Sequence, residues 1–365
     1  MPARSTNSPN CKITKLRNPP IPLVIRSPRF FMTFRAMTGH RSLLALLARA
    51  TALGSLPPSL IFSGPDGIGK RMAAVALAQA LNCERPIPWP EDSGVSGCGE
   101  CAACRRIVRG VHADVLFIEP ADTGSIGIDQ VREAIDRAAY RPFEGRKRVV
   151  IVDEADTLVQ AAQNALLKTL EEPPAASVFV LVTARPDLLL PTVRSRCQQL
   201  RFGPLAPADV ADVLMREHGM ASEEARAAAA ASDGSIGRAI DGGADEIVAS
   251  REAAARLLQT AAASADPRRR LDGAKMLAGG ASDRGDLARR LRAVSSLLRD
   301  LAVLLSRADD SALANADLKP QLQSLLRSFD DDRALRAFSA VDTALSALDR
   351  NASPKIVADW VALQI

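Results

Sequence analysis

The stretch Gly64-Pro65-Asp66-Gly67-Ile68-Gly69-Lys70-Arg71 carries the glycine spacing and the lysine of a phosphate-binding loop but not its final residue. In G-x-x-x-x-G-K-[ST], small residues let backbone N–H groups curl around phosphates at a helix N-terminus, the lysine neutralises charge, and the last hydroxyl holds Mg²⁺. Arg71 offers donors only and cannot ligate a cation. A nucleotide cradled by Gly64, Gly67, Gly69 and Lys70 is therefore poorly equipped for metal-assisted hydrolysis. The second constellation is Val149-Val150-Ile151-Val152-Asp153-Glu154-Ala155-Asp156. A β-branched run of this kind suits a parallel strand buried on both faces, with its acids at the carboxyl end, where open α/β sheets keep their ligands. In P-loop ATPases with this pattern the first acid helps hold Mg²⁺ and the second polarises the attacking water, which selects Asp153 and Glu154. The other reading, solvated acids capping the next helix, suits Asp156 better.

The third constellation is Cys83, Cys98, Cys101 and Cys104. Two overlapping C-x-x-C steps and a fourth thiol at a helix end supply the four ligands of a closed tetrahedral zinc site, structural rather than catalytic because no position is left open. Disulfides are the competing reading, disfavoured in a reducing compartment. Cys11 lies in the leader, and Cys197 reads as a small packed residue.

These groups need elements to hold them. Leu43, Leu44, Leu46, Leu47 and Leu53 recur at helical spacing before Pro57-Pro58 and the apolar Leu60-Ile61-Phe62. The glycine loop follows that strand and opens into a helix-forming run, Met72 to Leu81, the context the motif requires. Further strands are expected at Val115–Ile118, near 150, at Val178–Val182 and around Leu200–Phe202, with helices over Asp129–Ala139 and Gln163–Leu170. Strand and helix in alternation predict a doubly wound, parallel, five-stranded sheet. After Gly203-Pro204 the strand pattern vanishes. Residues 204–243 read as a small helical lid and 244–365 as an all-helical domain, whose Leu287, Leu291, Val294, Leu297, Leu298 and Leu301 form a core stripe. The domain scheme is thus a basic leader over 1–36, an α/β domain over 37–203 with a zinc module at about 83–104, the lid, and the helical tail.

Composition narrows the class. Of 365 residues, 47% are hydrophobic and 24% charged, with only 4% aromatic, which favours helices over an all-β build. The net charge of +5 resides in the leader, where Arg4, Lys12, Lys15, Arg17, Arg26, Arg29 and Arg35 stand without an acid. The remainder holds 40 basic (47 less these seven) against 42 acidic residues, so a nucleic-acid contact must be a local patch. Lys168 is a candidate for a phosphate contact. The leader, rich in Pro, Ser and Asn, reads as disordered, and Met32 opens a sequence that makes sense as a domain start. No apolar run reaches membrane length, and a cytoplasmic location is expected.

The Gly64–Lys70 loop, the four-cysteine insertion, Val149 to Asp156, Asn164-Ala165-Leu166-Leu167-Lys168-Thr169-Leu170-Glu171-Glu172-Pro173-Pro174 and Ser195-Arg196-Cys197 occur together and in order. This combination resembles the bacterial DNA polymerase III clamp-loader subunits of the AAA+ class, in particular those of delta-prime type. The resemblance implies a P-loop AAA+ domain, a helical lid, and a helical collar through which five subunits form an open ring. It implies as partners the gamma/tau and delta subunits, the sliding clamp and primed DNA, and no membrane. It also implies that Arg196 reaches across a subunit boundary as an arginine finger toward the γ-phosphate of ATP on a neighbour, while this chain binds ATP weakly or not at all. Two features depart from the ATP-hydrolysing gamma/tau-like subunits: Arg71, and Gly237 where a lid arginine is usual. Arg238 lies one step along, rotated by about 100° on a helix. Ala184, after the strand Val178–Val182, offers no polar group where relatives often have Asn or Thr. A genuine motor using Lys70, Asp153 and Glu154 is the rival reading, and an unrelated zinc-containing P-loop protein a weaker one.

Overall fold

The computed structural model describes residues 32–89, 93–241, 244–264, 266–278, 284–306, 313, 315, 318–349 and 352–365. The leader reading of residues 1–31, with Cys11, lies outside them. The chain forms two compact units, one of residues 32–37, 41–63 and 70–201, the other of 38–40, 64–69 and 202–365.

The first unit is a sheet covered by helices. In chain order it runs α1 (Arg41–Leu53), β1 (Ser59–Ser63), α2 (Lys70–Asn82), β2 (Ile87–Pro88), β3 (Val95–Ser96), α3 (Ala102–Val108), β4 (Val115–Ile118), α4 (Ile128–Ala139), β5 (Arg148–Val152), α5 (Gln160–Glu171), β6 (Ser177–Thr183), α6 (Pro191–Arg194) and β7 (Gln198–Arg201). The sheet order is β4-β5-β6-β1-β7, parallel throughout, with Phe117 facing Ile151, Val150 facing Phe179 and Ile61 facing Leu181. This is the five-stranded, doubly wound sheet expected. Every residue of β1, β4, β5 and β6 is buried, which is why their sequences run apolar without alternation. β7 is the polar exception because it is an exposed edge. Within the cysteine insertion, β2 and β3 form a two-residue antiparallel pairing that the sequence did not signal.

Residues 32–36, which composition assigns to the leader, belong instead to the fold. Met32 and Phe34 are buried, Phe34–Ala36 makes one 3₁₀ turn, and the Phe34 ring meets Trp89 edge-on at 6.4 Å. Burial of two large apolar side chains outweighs the basic composition around them.

One buried ion pair holds the sheet's amino end. Arg148, the first residue of β5, donates from Nη2 to Asp114 Oδ1 at 2.7 Å, and the amides of Phe143, Glu144 and Gly145 donate to the same carboxylate at 2.7, 2.9 and 2.8 Å. Burial opposes ionisation of Asp114, but Arg148 and the three amides prevail and bring it down to about 2.

The second unit is helical: α7 (Pro207–His218), α8 (Ser222–Ala231), α9 (Ile236–Asp241), α10 (Ala244–Ala263), α11 (Pro267–Ala278), α12 (Arg284–Leu305), α13 (Lys319–Leu325), α14 (Asp331–Asp349) and α15 (Pro354–Gln364). Val210, Leu214, Ala225, Ala229 and Ala239 make a small core among α7, α8 and α9. A larger core gathers the leucine stripe of α12 with Leu257, Leu258, Val341, Ala358 and Val361. A polar network stitches the segments of this unit. Asp233, before α9, lies 3.5 Å from Arg299 on α12, and Asp300 beside it accepts from the amide of Asn315 at 2.7 Å and from its side chain at 2.8 Å. No helix among the described residues is long and apolar enough to cross a membrane.

Asp114→Ala is expected to lower the unfolding free energy by about 3–5 kcal/mol, because Arg148 is left buried without its partner. In the wild type the stability that Asp114 supplies is complete above about pH 4, the unfolded carboxyl's range, and falls away as pH drops toward 2. Urea unfolding of both proteins as a function of pH reads both effects.

Candidate functional site

Arg71 sits in the first turn of α2, and its guanidinium reaches the carboxyl ends of β4 and β5. It donates from Nη1 to Asp153 Oδ2 at 2.7 Å, pairs through Nη2 with Glu119, and lies over the Phe117 ring at 5.7 Å. Asp153 follows β5 directly and Glu119 follows β4 directly, so the sheet delivers two acids side by side and the helix delivers the cation between them. All three side chains are three-quarters or more buried, which makes the pairing stronger than a surface salt bridge. Asp153, expected as a metal-holding acid, is thus an arginine's partner. Glu119 was missed by sequence reasoning, although its place just past a buried strand was the available signal.

Glu154 takes a left-handed backbone at φ 48°, is exposed, and accepts the Thr157 amide at 2.8 Å through its carbonyl. A non-glycine residue there is uncommon, and the sharp exit it gives from β5 keeps its side chain off the sheet. Asp156 is not a solvated cap. It accepts from Thr183 Oγ1 at 2.7 Å and from Arg185 at 2.8 Å, and is itself 7% exposed. Thr183, the last residue of β6, places a hydroxyl one residue before the apolar Ala184, and was not singled out from sequence.

In the second unit the phosphate loop packs against the segment around α9. Gly64, Gly67 and Gly69 have φ of 146°, 72° and 98°. A side chain at Gly64 would strike the Phe202 carbonyl and one at Gly67 the Ser235 hydroxyl, at 2.1 and 2.3 Å. Ser235 Oγ donates to the Asp66 carbonyl at 2.7 Å, and the Gly237 amide donates to the Gly67 carbonyl at 2.9 Å. A Cβ on Gly237 would lie 2.8 Å from Gly67 Cα. The glycine at 237 is therefore a packing requirement of this loop, and an arginine there would push the loop aside. Arg238 turns away toward Asp233 at 3.7 Å. His40 Nε2 donates to the Ile68 carbonyl at 3.0 Å while its ring stands edge-on to Phe202, and burial lowers its pKa, keeping it neutral. Lys70 is buried at the start of α2.

Arg196 follows α6 and is about one-third exposed. Its Nη1 donates to the Thr192 carbonyl at 3.0 Å, and its Nη2 pairs with Glu171, the last residue of α5. Cys197 packs on the sheet core, and burial pushes its thiol up to about 12. Lys168 is exposed on α5.

The four cysteines converge. Cys83 follows α2, Cys101 caps α3 and Cys104 lies within it, and all four sulfurs are within 4.8 Å of one another. Cys83 and Cys101 Sγ are 3.9 Å apart, far from a bonded pair and close to the edge of about 3.8 Å for a tetrahedron of Zn–S bonds near 2.3 Å. Backbone amides of Cys98, Cys101 and Cys104 point at sulfurs of Cys83, Cys98 and Cys101 at 3.3–3.4 Å. Burial alone raises the Cys98 thiol, but the amides of Cys101 and Glu100 bring it down to about 7, whereas burial keeps Cys83 and Cys104 high. Four thiolates at this separation repel one another without a cation, so the donor set fits a metal such as zinc.

A parallel sheet of this order, a glycine loop between β1 and α2, and acids at the end of β5 define the P-loop AAA+ class. Residues 39–206 match the family described as DNA polymerase III, delta subunit. The chain is 36% identical over 185 residues to the DNA polymerase III subunit gamma/tau of Mycobacterium tuberculosis (strain ATCC 25618 / H37Rv), covering 50% of this chain and 31% of that protein. It is 38% identical over 170 residues to the subunit tau of Bacillus subtilis (strain 168), covering 46% of this chain and 29% of that one. The chain thus spans about a third of the length of these relatives. A DNA polymerase III gamma subunit-related protein of Thermotoga maritima covers 83% of this chain and 98% of its own at 19% identity, with a TM-score of 0.35. Residues 39–206 thus resemble DNA polymerase III subunits, and these matches do not separate the delta-prime from the gamma/tau type.

Cys104→Ser is expected to abolish metal retention and lower the melting temperature by roughly 5 °C or more, read by metal analysis and calorimetry. Gly67→Ala, which places a methyl group against Ser235 in a left-handed backbone, is expected to cost about 1–3 kcal/mol in urea unfolding.

Proposed function

We propose that this chain is a delta-prime-type subunit of the DNA polymerase III clamp loader, which helps load the sliding clamp onto primed DNA and acts on ATP held by a neighbour rather than on its own. The observation that carries the reading is Arg71 paired with Asp153 and Glu119, where a hydrolysing site would need a hydroxyl and a metal. The direct packing of Gly237 on Gly67 supports it, because a lid arginine has no room there. In this reading Arg196 is the arginine finger, Cys83, Cys98, Cys101 and Cys104 hold a structural zinc, residues 204–243 serve as the lid, and 244–365 form the collar that joins gamma/tau and delta subunits in a hetero-pentamer in the cytoplasm. Glu154, exposed beyond β5, and the Gly64–Lys70 loop are retained parts of an ATP site whose use has lapsed.

The gamma/tau identity of the quoted relatives favours a second reading, an ATP-hydrolysing motor with Lys70, Asp153 and Glu154 in their usual roles. Two measurements part them. The purified chain alone is expected to hydrolyse ATP at background rate, and the loader rebuilt with Arg196→Ala to lose at least about tenfold of its clamp-stimulated ATPase. Robust turnover by the isolated chain, or an unimpaired loader with the variant, overturns the delta-prime reading.

A further inference from the structure

P-loop sites that hydrolyse nucleotide recruit a divalent cation to the loop hydroxyl and to the acid at the strand end. The residues here do not fit such an ion. The position after Lys70 is an arginine with no lone pair to offer, and the acid at the end of β5 is already paired. We infer that Arg71 is the cation of this site: its guanidinium takes the place of the divalent metal between Asp153 and Glu119, and the folded chain is indifferent to Mg²⁺ there.

Three features of the geometry argue for replacement rather than an incidental surface contact. The acids come from the ends of two neighbouring strands, β4 and β5, whose positions are fixed by a fully buried, hydrogen-bonded register, so they stand close whatever lies between them. Two like charges so placed, each about four-fifths buried, repel one another, and a cation between them relieves that repulsion. The guanidinium addresses them separately, Nη1 to Asp153 and Nη2 to Glu119, with its Cζ 5.7 Å from the centre of the Phe117 ring; the separate pairing follows from the planar fork of arginine and is not offered by the single ammonium of lysine. A divalent ion is therefore both unnecessary and excluded, since entry would require expelling a fixed positive charge from its carboxylates.

This inference concerns the ion alone, and stands or falls separately from the delta-prime reading, since a chain without ATPase activity could still bind Mg²⁺ at Asp153. The test uses the full chain with its cysteine site loaded and no chelator present. Thermal unfolding and Mn²⁺ binding by electron paramagnetic resonance are measured for the wild type, Arg71→Ala, Asp153→Asn and the double variant. The wild type is expected to show no change in melting temperature with millimolar Mg²⁺ or Mn²⁺, and the same Mn²⁺ uptake as Asp153→Asn. Arg71→Ala is expected to melt about 3 °C lower or more, to recover with millimolar Mg²⁺ or Mn²⁺, and to lose that recovery once Asp153→Asn is added. Wild-type Mn²⁺ uptake that Asp153→Asn removes overturns the inference, as does an Arg71→Ala protein that neither loses stability nor responds to the ions. Should Arg71→Ala fail to fold, the comparison of wild type with Asp153→Asn still decides the matter.

Discussion

Parallel strands buried on both faces can carry polar groups only where they end, and the site of this protein follows from that constraint. β4 and β5 are followed directly by Glu119 and Asp153, and β6 ends in Thr183, so the sheet gathers polar atoms on one rim. A rim of that kind carries net negative charge and must be neutralised. Most P-loop proteins borrow the neutralising charge from solution, as a metal that comes and goes with nucleotide. Here it is tethered covalently to α2, which converts a variable ligand into a permanent part of the fold. A further acid beyond β5, Asp156, is paired with Arg185 and accepts from Thr183.

The packing of the glycine loop agrees with that permanence. Ser235 and Gly237 bond to carbonyls of Asp66 and Gly67, and His40 bonds to that of Ile68, so successive loop carbonyls are engaged by one helical unit. The same unit continues through Asp233 and Arg299 into the long α12.

Much of this was legible in the sequence, for reasons that can be named. The strands announced themselves because burial on both faces demands uninterrupted apolar runs, and the four cysteines did because thiolate ligation has few substitutes. Arg71 was legible as a loss, the missing hydroxyl, but not as a gain, because its partner Glu119 is 48 residues away and acquires meaning only when β4 lies beside β5. Glu171 beside Arg196 and His40 beside Ile68 were hidden in the same way, each pair being a product of topology rather than of spacing. Gly237 looked like a lost arginine, whereas the structure shows a steric need that a sequence cannot display. The fold's first residues misled in the opposite direction. Composition placed residues 32–36 in the leader, although Met32 also read as a domain start, and it is burial of Met32 and of Phe34, whose ring meets Trp89, that ties them to the fold.

Helix α2 is lined by Ala73, Ala74, Ala76, Ala78 and Ala80, all buried, so it lies tight against its surroundings with few bulky side chains to absorb a displacement. Lys70 and Arg71 open this helix and Cys83 follows its last residue, Asn82. A rod of 13 residues, about 20 Å long, therefore joins the thiolate cluster to the guanidinium that neutralises the sheet's rim. The cysteine cluster and the cation of the sheet's rim are thus anchored to opposite ends of one element.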